Sequence, residues 1–277
     1  KNIEQAHERW GDSNKSHLGG IAFTIPIILL FFFLIFYEKI KIDGFTYSII
    51  FIVIFSTIVG IIDEKKRLSI KSKVLSQLII CFFLIWFEYI INITPYYWLN
   101  ILFTTLWLFA FINALNLFDN VDSALASYAI TIFSFFLILL ILKPQGLIPV
   151  LIILTYIGSI TGFLFFNIYP SKIFMGEVGS FQLASVLAVL SIYILWNDFN
   201  FWAYQYSPAF NSVYYLLLNN CIYLVIIVDT LLIFVVRASN KVNPLKGDTN
   251  HLSHIIFKLG FNPNQFALLV LILNIFL

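Results

Sequence analysis

Asn113-Ala-Leu-Asn-Leu-Phe-Asp-Asn-Val-Asp-Ser-Ala-Leu-Ala-Ser127 interrupts a run of apolar residues on both sides with two carboxylates, Asp119 and Asp122, and three carboxamides, Asn113, Asn116 and Asn120. An Asp placed in hydrocarbon costs roughly 2.5–3.5 kcal/mol on insertion scales, so such a group persists only with a partner or a task. At helical spacing Asn116, Asp119, Asn120 and Ser123 share one face, with Asp122 at its flank. The alternative is an ordinary polar loop between two membrane spans. Both readings make the flanking apolar runs membrane-crossing helices.

Composition agrees. Apolar residues make up 61% of the chain, aromatic residues 18% and charged residues only 11%, against about 25% charged in globular proteins. The expected class is an all-α, polytopic integral membrane bundle forming one domain over residues 1–277. The net charge of +2 carries little information by itself, and no nucleic-acid partner is expected. Cys81 and Cys221 lie inside apolar runs and read as small buried hydrophobes. The first eighteen residues are polar and begin with Lys rather than Met, so no cleavable signal peptide is expected and a further segment is expected upstream.

Runs of about 17–25 apolar residues cross a bilayer as helices, which satisfy their backbone groups internally. Such runs place helices at 19–37, 45–62, 74–92, 97–116, 124–142, 147–166, 180–196 and 212–236, with a shorter apolar run at 265–277. Alternate connections lie on alternate sides. One set holds Lys1, Arg9, Lys15, Lys65, Lys66, Arg67, Lys71, Lys73, Lys172, Arg237, Lys241, Lys246 and Lys258; the other holds only Lys39, Lys41 and Lys143. Thirteen basic residues against three assign the first set to the cytoplasm. The acids, amides and histidines of interest fall on that same side. The opposite loop 197–211 reads as an aromatic interfacial belt.

Acids near one membrane face, beside Lys and His, suggest a divalent metal and a phosphorylated substrate. Mg²⁺ prefers oxygen ligands and is commonly shared between one or two carboxylates and phosphate oxygens. It neutralises charge that develops on a phosphoryl group. Asp63 and Glu64 are followed by Lys65, Lys66, Arg67, Lys71 and Lys73, which also fit a simple positive-inside flank. Lys73 stands apart, because a cation at a helix start opposes the helix dipole unless an anion is near. Glu177 lies between Gly176 and Gly179 at a helix entry, where close backbone approach and free amides favour phosphate; a plain turn with Ser180 as N-cap is the alternative. His251 and His254 are either a pair facing one site or a solvated face. Asp229, inside an apolar helix, is either functional or a packing contact.

In order along the chain, these pieces resemble the polyprenyl-phosphate N-acetylhexosamine-1-phosphate transferases of glycosyltransferase family 4 type, in particular the WecA/TagO/WbpL-like branch. The likeness covers nearly the whole chain. His17 to Phe23 resembles the Pro-Arg-x-Gly-Gly-x-x-Ile segment, and Gly60 to Gln77 resembles the Asp-Asp motif with its downstream Lys and Gln. Asn113 to Leu125 is similar to Asn-x-x-Asn-x-x-Asp-Gly-x-Asp-Gly-Leu. Phe166-Asn167 and Phe174 to Ser180 are similar to Phe-Asn and Phe-Met-Gly-Asp-x-Gly-Ser. Asp229, Arg237, Asn243 to Leu245 and Asp248 to His254 resemble the final loop with its histidine motif.

The resemblance implies transfer of sugar-1-phosphate from a UDP-N-acetylhexosamine to polyprenyl (undecaprenyl) phosphate, giving polyprenyl-diphosphoryl-sugar and UMP. It implies Mg²⁺, with Mn²⁺ as a substitute, and a multi-pass protein of the bacterial inner membrane with about nine to ten spans and a cytoplasmic site. The family's first helix is expected to be missing here, and a homodimer is left open. The carried-over roles are Glu177 and Asp63 for metal; Asp63, Glu64, Asp119 and Asp122 for catalysis; and Lys73, Asn113, Asn116, Asn167, His251 and His254 for substrate. The product would start an O-antigen or other surface glycan. The rivals are a peptidoglycan-precursor transferase of MraY type, a catalytically weakened relative and a transporter. This chain departs from the pattern at His17 (for Arg), Glu64 and Glu177 (for Asp), Asn120 and Ser123 (for Gly), Thr249 (for a basic residue) and Ser253 (for His).

Overall fold

The computed structural model describes residues 15–36, 43–197, 217–218, 220–239 and 252–276. Among these, the architecture is all-helical apart from one isolated parallel bridge, Ser16 to Ile173. The helices are α1 (Ile21–Phe36), α2 (Gly44–Lys66), α3 (Ile70–Trp86), α4 (Tyr97–Phe118), α5 (Ala124–Leu142), α6 (Leu147–Asn167), α7 (Gly176–Ile192, continued by a wider turn at Tyr193–Asn197), α8 (Leu224–Ser239), α9 (Leu252–Lys258) and α10 (Pro263–Phe276). Among the described residues, five segments are long and apolar enough to cross a membrane: α2, α4, α5, α6 and Gly176–Trp196. Ile21–Phe36, Leu224–Val236 and Pro263–Ile275 are shorter apolar helices. The expected aromatic belt at 197–211 lies almost wholly outside the described residues.

α7 is the axis of the bundle. Every residue from Val178 to Ile192 is buried, and the helix packs against α1, α2, α4 and α5. Its sequence explains this position: Gly179, Ser180, Ala184, Ser185, Ala188 and Ser191 are small, and small residues let helix backbones approach where apolar solvent gives no hydrophobic push. The closest approaches have no room for a side chain. A Cβ on Gly20 would lie 2.1 Å from the Gly179 nitrogen, and one on Gly60 would lie 2.5 Å from Val178 Cα. Deeper in, Thr24 Oγ1 lies 3.1 Å from Thr57 Oγ1 and donates to Gln182 Oε1 at 3.2 Å, while Gln182 Nε2 donates to the Tyr156 hydroxyl at 3.4 Å. That polar chain ties α1, α2, α6 and α7 together without stranding a buried amide.

Several boundaries move relative to the sequence expectation. α2 runs on through Asp63, Glu64, Lys65 and Lys66 and ends where Arg67 adopts φ 48 and returns its N–H to the Asp63 carbonyl. α3 then begins at Ile70, capped by Ser69, whose Oγ accepts the Ser72 N–H at 3.2 Å. Asp63, Glu64 and Lys73 therefore all sit on helix ends. Cys81 is buried as expected, but Cys221 is exposed.

The expected helical face through Asn116, Asp119, Asn120 and Ser123 is corrected: α4 stops at Phe118 and residues 119–123 form turns. The cause lies at Ser123, whose φ is 61 and whose N–H is captured by Asn167 Oδ1 at 2.8 Å. A left-handed serine costs about 1–2 kcal/mol. Ser123→Gly is therefore expected to raise the thermal unfolding midpoint in detergent, by the equivalent of about 1 kcal/mol; an unchanged or lower midpoint would show that the hydroxyl's bond to the Asp122 carbonyl at 2.6 Å outweighs the strain.

Candidate active site

The C-terminal end of α2, the N-terminal ends of α3 and α7, and the C-terminal end of α4 meet at one end of the bundle. Asp63 is only 7% exposed, and each of its carboxylate oxygens has a separate partner. Oδ1 accepts the Leu68 N–H at 2.7 Å and closes the α2–α3 turn. Oδ2 lies 2.5 Å from Lys73 Nζ. The same ammonium reaches Glu177 Oε2 at 3.6 Å, so two carboxylates distant in sequence converge on one cation. These anions compensate the opposition between Lys73 and the dipole at the start of α3.

Glu177 stands in the first turn of α7. Asn116 Nδ2 donates to its Oε2 at 3.3 Å and to Ser180 Oγ at 2.9 Å, joining α4 to α7. Asp119 follows directly as the C-cap of α4, its N–H returned to the Asn116 carbonyl at 3.3 Å. Glu64 Oε2 accepts the Glu177 N–H at 3.0 Å, and its Oε1 lies 3.6 Å from His17 Nδ1. The loop before α7 is held from the N-terminal side: Phe174 N–H donates to the Ser16 carbonyl, Gly19 N–H to that of Phe174 and Gly20 N–H to that of Met175. Gly176 has φ 70, and a Cβ there would lie 1.8 Å from the His17 carbonyl oxygen. Only glycine fits.

The other expected site residues form separate networks. Asn113 exchanges hydrogen bonds with Gln77 (2.9 and 3.1 Å) and also donates to the Phe109 carbonyl at 2.7 Å. Asp122 Oδ2 accepts the Ser171 N–H at 3.3 Å. Asn167, expected at substrate, is 2% exposed and its amide serves the backbone: Oδ1 holds Ser123 N–H and Nδ2 donates to the Ile173 carbonyl. It clamps the α4–α5 connection to the loop before α7. Asp229, 2% exposed, accepts the Leu252 N–H at 2.7 Å. His251 lies outside the described residues, as do 240–250; His254 belongs to α9, and its side chain is not among those described. The pairings of Gln77 with Asn113 and of Asn116 with Ser180 join residues far apart in the chain, and no local signal announces them.

Among the described residues no group of three or more His, Cys, Asp and Glu forms a ready-made metal cage. The donor set still suits a hard cation that takes one or two protein carboxylates and keeps water and phosphate for its remaining positions. Glu177 Oε2 and Asp63 Oδ2 already share one positive charge.

The sequence profile described as glycosyl transferase family 4 matches residues 46–195. The chain is 33% identical over 195 residues to phospho-N-acetylmuramoyl-pentapeptide-transferase of Streptococcus pneumoniae serotype 2 (strain D39 / NCTC 7466), covering 63% of this chain and 58% of the relative. The protein of the same name from strain ATCC BAA-255 / R6 gives the same figures, and that from strain CGSP14 is 32% identical over the same extent. The chain thus spans 58% of the length of these curated relatives.

Proposed function

This chain belongs to glycosyl transferase family 4, and from that premise we propose that it transfers sugar-1-phosphate from a UDP-activated N-acetylhexosamine to polyprenyl phosphate at the cytoplasmic face of a bacterial inner membrane. An oxygen of the lipid phosphate attacks the sugar-linked phosphorus, the bond to the uridylyl phosphate breaks, and UMP leaves. The product is a polyprenyl-diphosphoryl-sugar that starts a lipid-linked surface glycan. The observation carrying this reading is the convergence of Asp63, Glu177 and Lys73, with Asn116 alongside.

In this reading Asp63 orients the lipid phosphate and Lys73 holds a phosphate oxygen. Glu177, with Asp63, holds Mg²⁺ or Mn²⁺, which supplies charge neutralisation at the phosphates. Asn116 fixes Glu177, Glu64 fixes the α7 amide beside it, and Asp119 borders the nucleotide-sugar side. Asp122, Asn113 and Asn167 hold the surrounding connections in register. A second reading, a UDP-N-acetylmuramoyl-pentapeptide as donor, is favoured by the names of the relatives.

The testing experiment is UMP release by purified protein given Mg²⁺, polyprenyl phosphate and a panel of UDP-N-acetylhexosamines that includes UDP-N-acetylmuramoyl-pentapeptide. Lipid-dependent release from one or more donors is expected, and the donor used selects between the readings. No release from any donor would refute both. Independently of turnover, Lys73→Ala leaves Asp63 and Glu177 facing each other. Loss of a hydrogen bond to a charged group is worth about 1.5–3 kcal/mol, so its thermal midpoint should fall by that equivalent in metal-free buffer and recover in part with millimolar Mg²⁺. A midpoint indifferent to Mg²⁺ would remove these carboxylates from the metal site.

A further inference from the structure

We propose that Asn120 and Ser253 act as a positioning pair, backed by Asp229, that docks α9 on the α4–α5 connection and thereby sets affinity for the sugar nucleotide; the affinity clause rests on the reading above. α9 has only seven residues, too few to be stable without tertiary support. Two polar contacts hold its start. Ser253, 1% exposed, donates its hydroxyl to Asn120 Oδ1 at 3.2 Å, and Leu252 donates its N–H to Asp229 Oδ1 at 2.7 Å. Phe257 packs edge-on against Phe266 of α10, with centroids 6.0 Å apart.

The platform beneath the pair is fixed. Asn120 lies between Asn116, which donates to Glu177 and Ser180, and Asp122 and Ser123, which are pinned to Ser171 and Asn167. A shift of α9 is thus passed to a segment with a single anchored position beside the acids. Positions 120 and 253 are also two of the places where this chain departs from the motif pattern. The two departures touch: Asn120, half-buried, supplies the acceptor that the buried Ser253 hydroxyl requires. Asn120 and Ser253 act through α9 and the connection; they are not catalytic residues.

Hydrogen exchange on the full chain in detergent tests the docking without turnover. Asn120→Ala and Ser253→Ala should each speed exchange of the α9 amides by up to roughly tenfold. The double variant should go no further than either single, as expected for partners in one contact, and Ser253→Thr should stay near wild type. In the UMP-release assay the same alanine variants should raise KM for the UDP-sugar while leaving kcat and KM for polyprenyl phosphate little changed. Unchanged exchange, or additive effects in the double variant, would overturn the pair. Faster exchange with an unchanged UDP-sugar KM would overturn its link to affinity. Wild-type protein inactive on every donor refutes the functional reading instead, and the exchange result still decides the docking.

Discussion

Gly20→Val and Gly60→Val are each expected to abolish recovery of folded protein. The added Cβ would meet the Gly179 nitrogen and Cα at 2.1 and 2.2 Å in the first case, and Val178 Cα and the Glu177 carbonyl at 2.5 and 2.8 Å in the second. Every one of these atoms is backbone of α7, so no rotamer change relieves the overlap. Overpacking costs about 1–3 kcal/mol where side chains can yield, and here they cannot. Relative to a net stability of about 5–15 kcal/mol, separating α1 or α2 from the central helix is enough to lose the bundle. Size-exclusion elution and a thermal scan in detergent give the readout. Gly158→Ala, where the new methyl meets nothing within 4 Å, should behave as wild type. Wild-type elution and midpoint in Gly20→Val would contradict the helix contacts described here.

Glu177→Gln carries the second large effect. The substitution keeps size and shape but removes the negative charge that, with Asp63, faces the Lys73 ammonium. If Glu177 holds the metal, several kcal/mol of transition-state stabilisation go with it, equivalent to a fall of about 10³-fold in kcat, with the protein still folded. An unchanged rate would remove Glu177 from the metal site. Glu177→Asp should keep or raise activity, since the resemblance places Asp there. A misplacement near 1 Å costs about 10²-fold, so total loss in that variant would show that Lys73 and Asn116 are set for the longer arm.

Much of the bundle was legible because apolar runs bounded by polar residues leave few alternatives. α5 spans the expected 124–142, while α4 and α6 end within two residues of expectation. Helix ends at the site were harder to read. Asp63 to Lys66 look like loop by polarity, yet α2 continues because the left-handed Arg67 terminates it only later. The Gly176–Gly179 stretch looks like a turn, yet α7 begins there because the backbones of α1 and α2 pack on it. The residue types of the site were visible in sequence; their partners were not. Nothing local pairs Asn120 with Ser253 or turns the Asn167 amide onto Ser123, since those contacts depend on tertiary placement. Cys221 shows the limit of hydropathy: an apolar run does not tell which face of a helix the bundle covers.

On the proposed function, Asp63 and Glu177 are expected to bind one divalent cation together. Electron paramagnetic resonance titration of Mn²⁺ into the purified full chain tests it most directly, because bound ion leaves the sharp signal of free Mn²⁺. One site per chain is expected, lost in both Asp63→Asn and Glu177→Gln and retained in Asp43→Asn, whose carboxylate caps the distant end of α2. Retention of the site in both Asp63→Asn and Glu177→Gln would contradict the account.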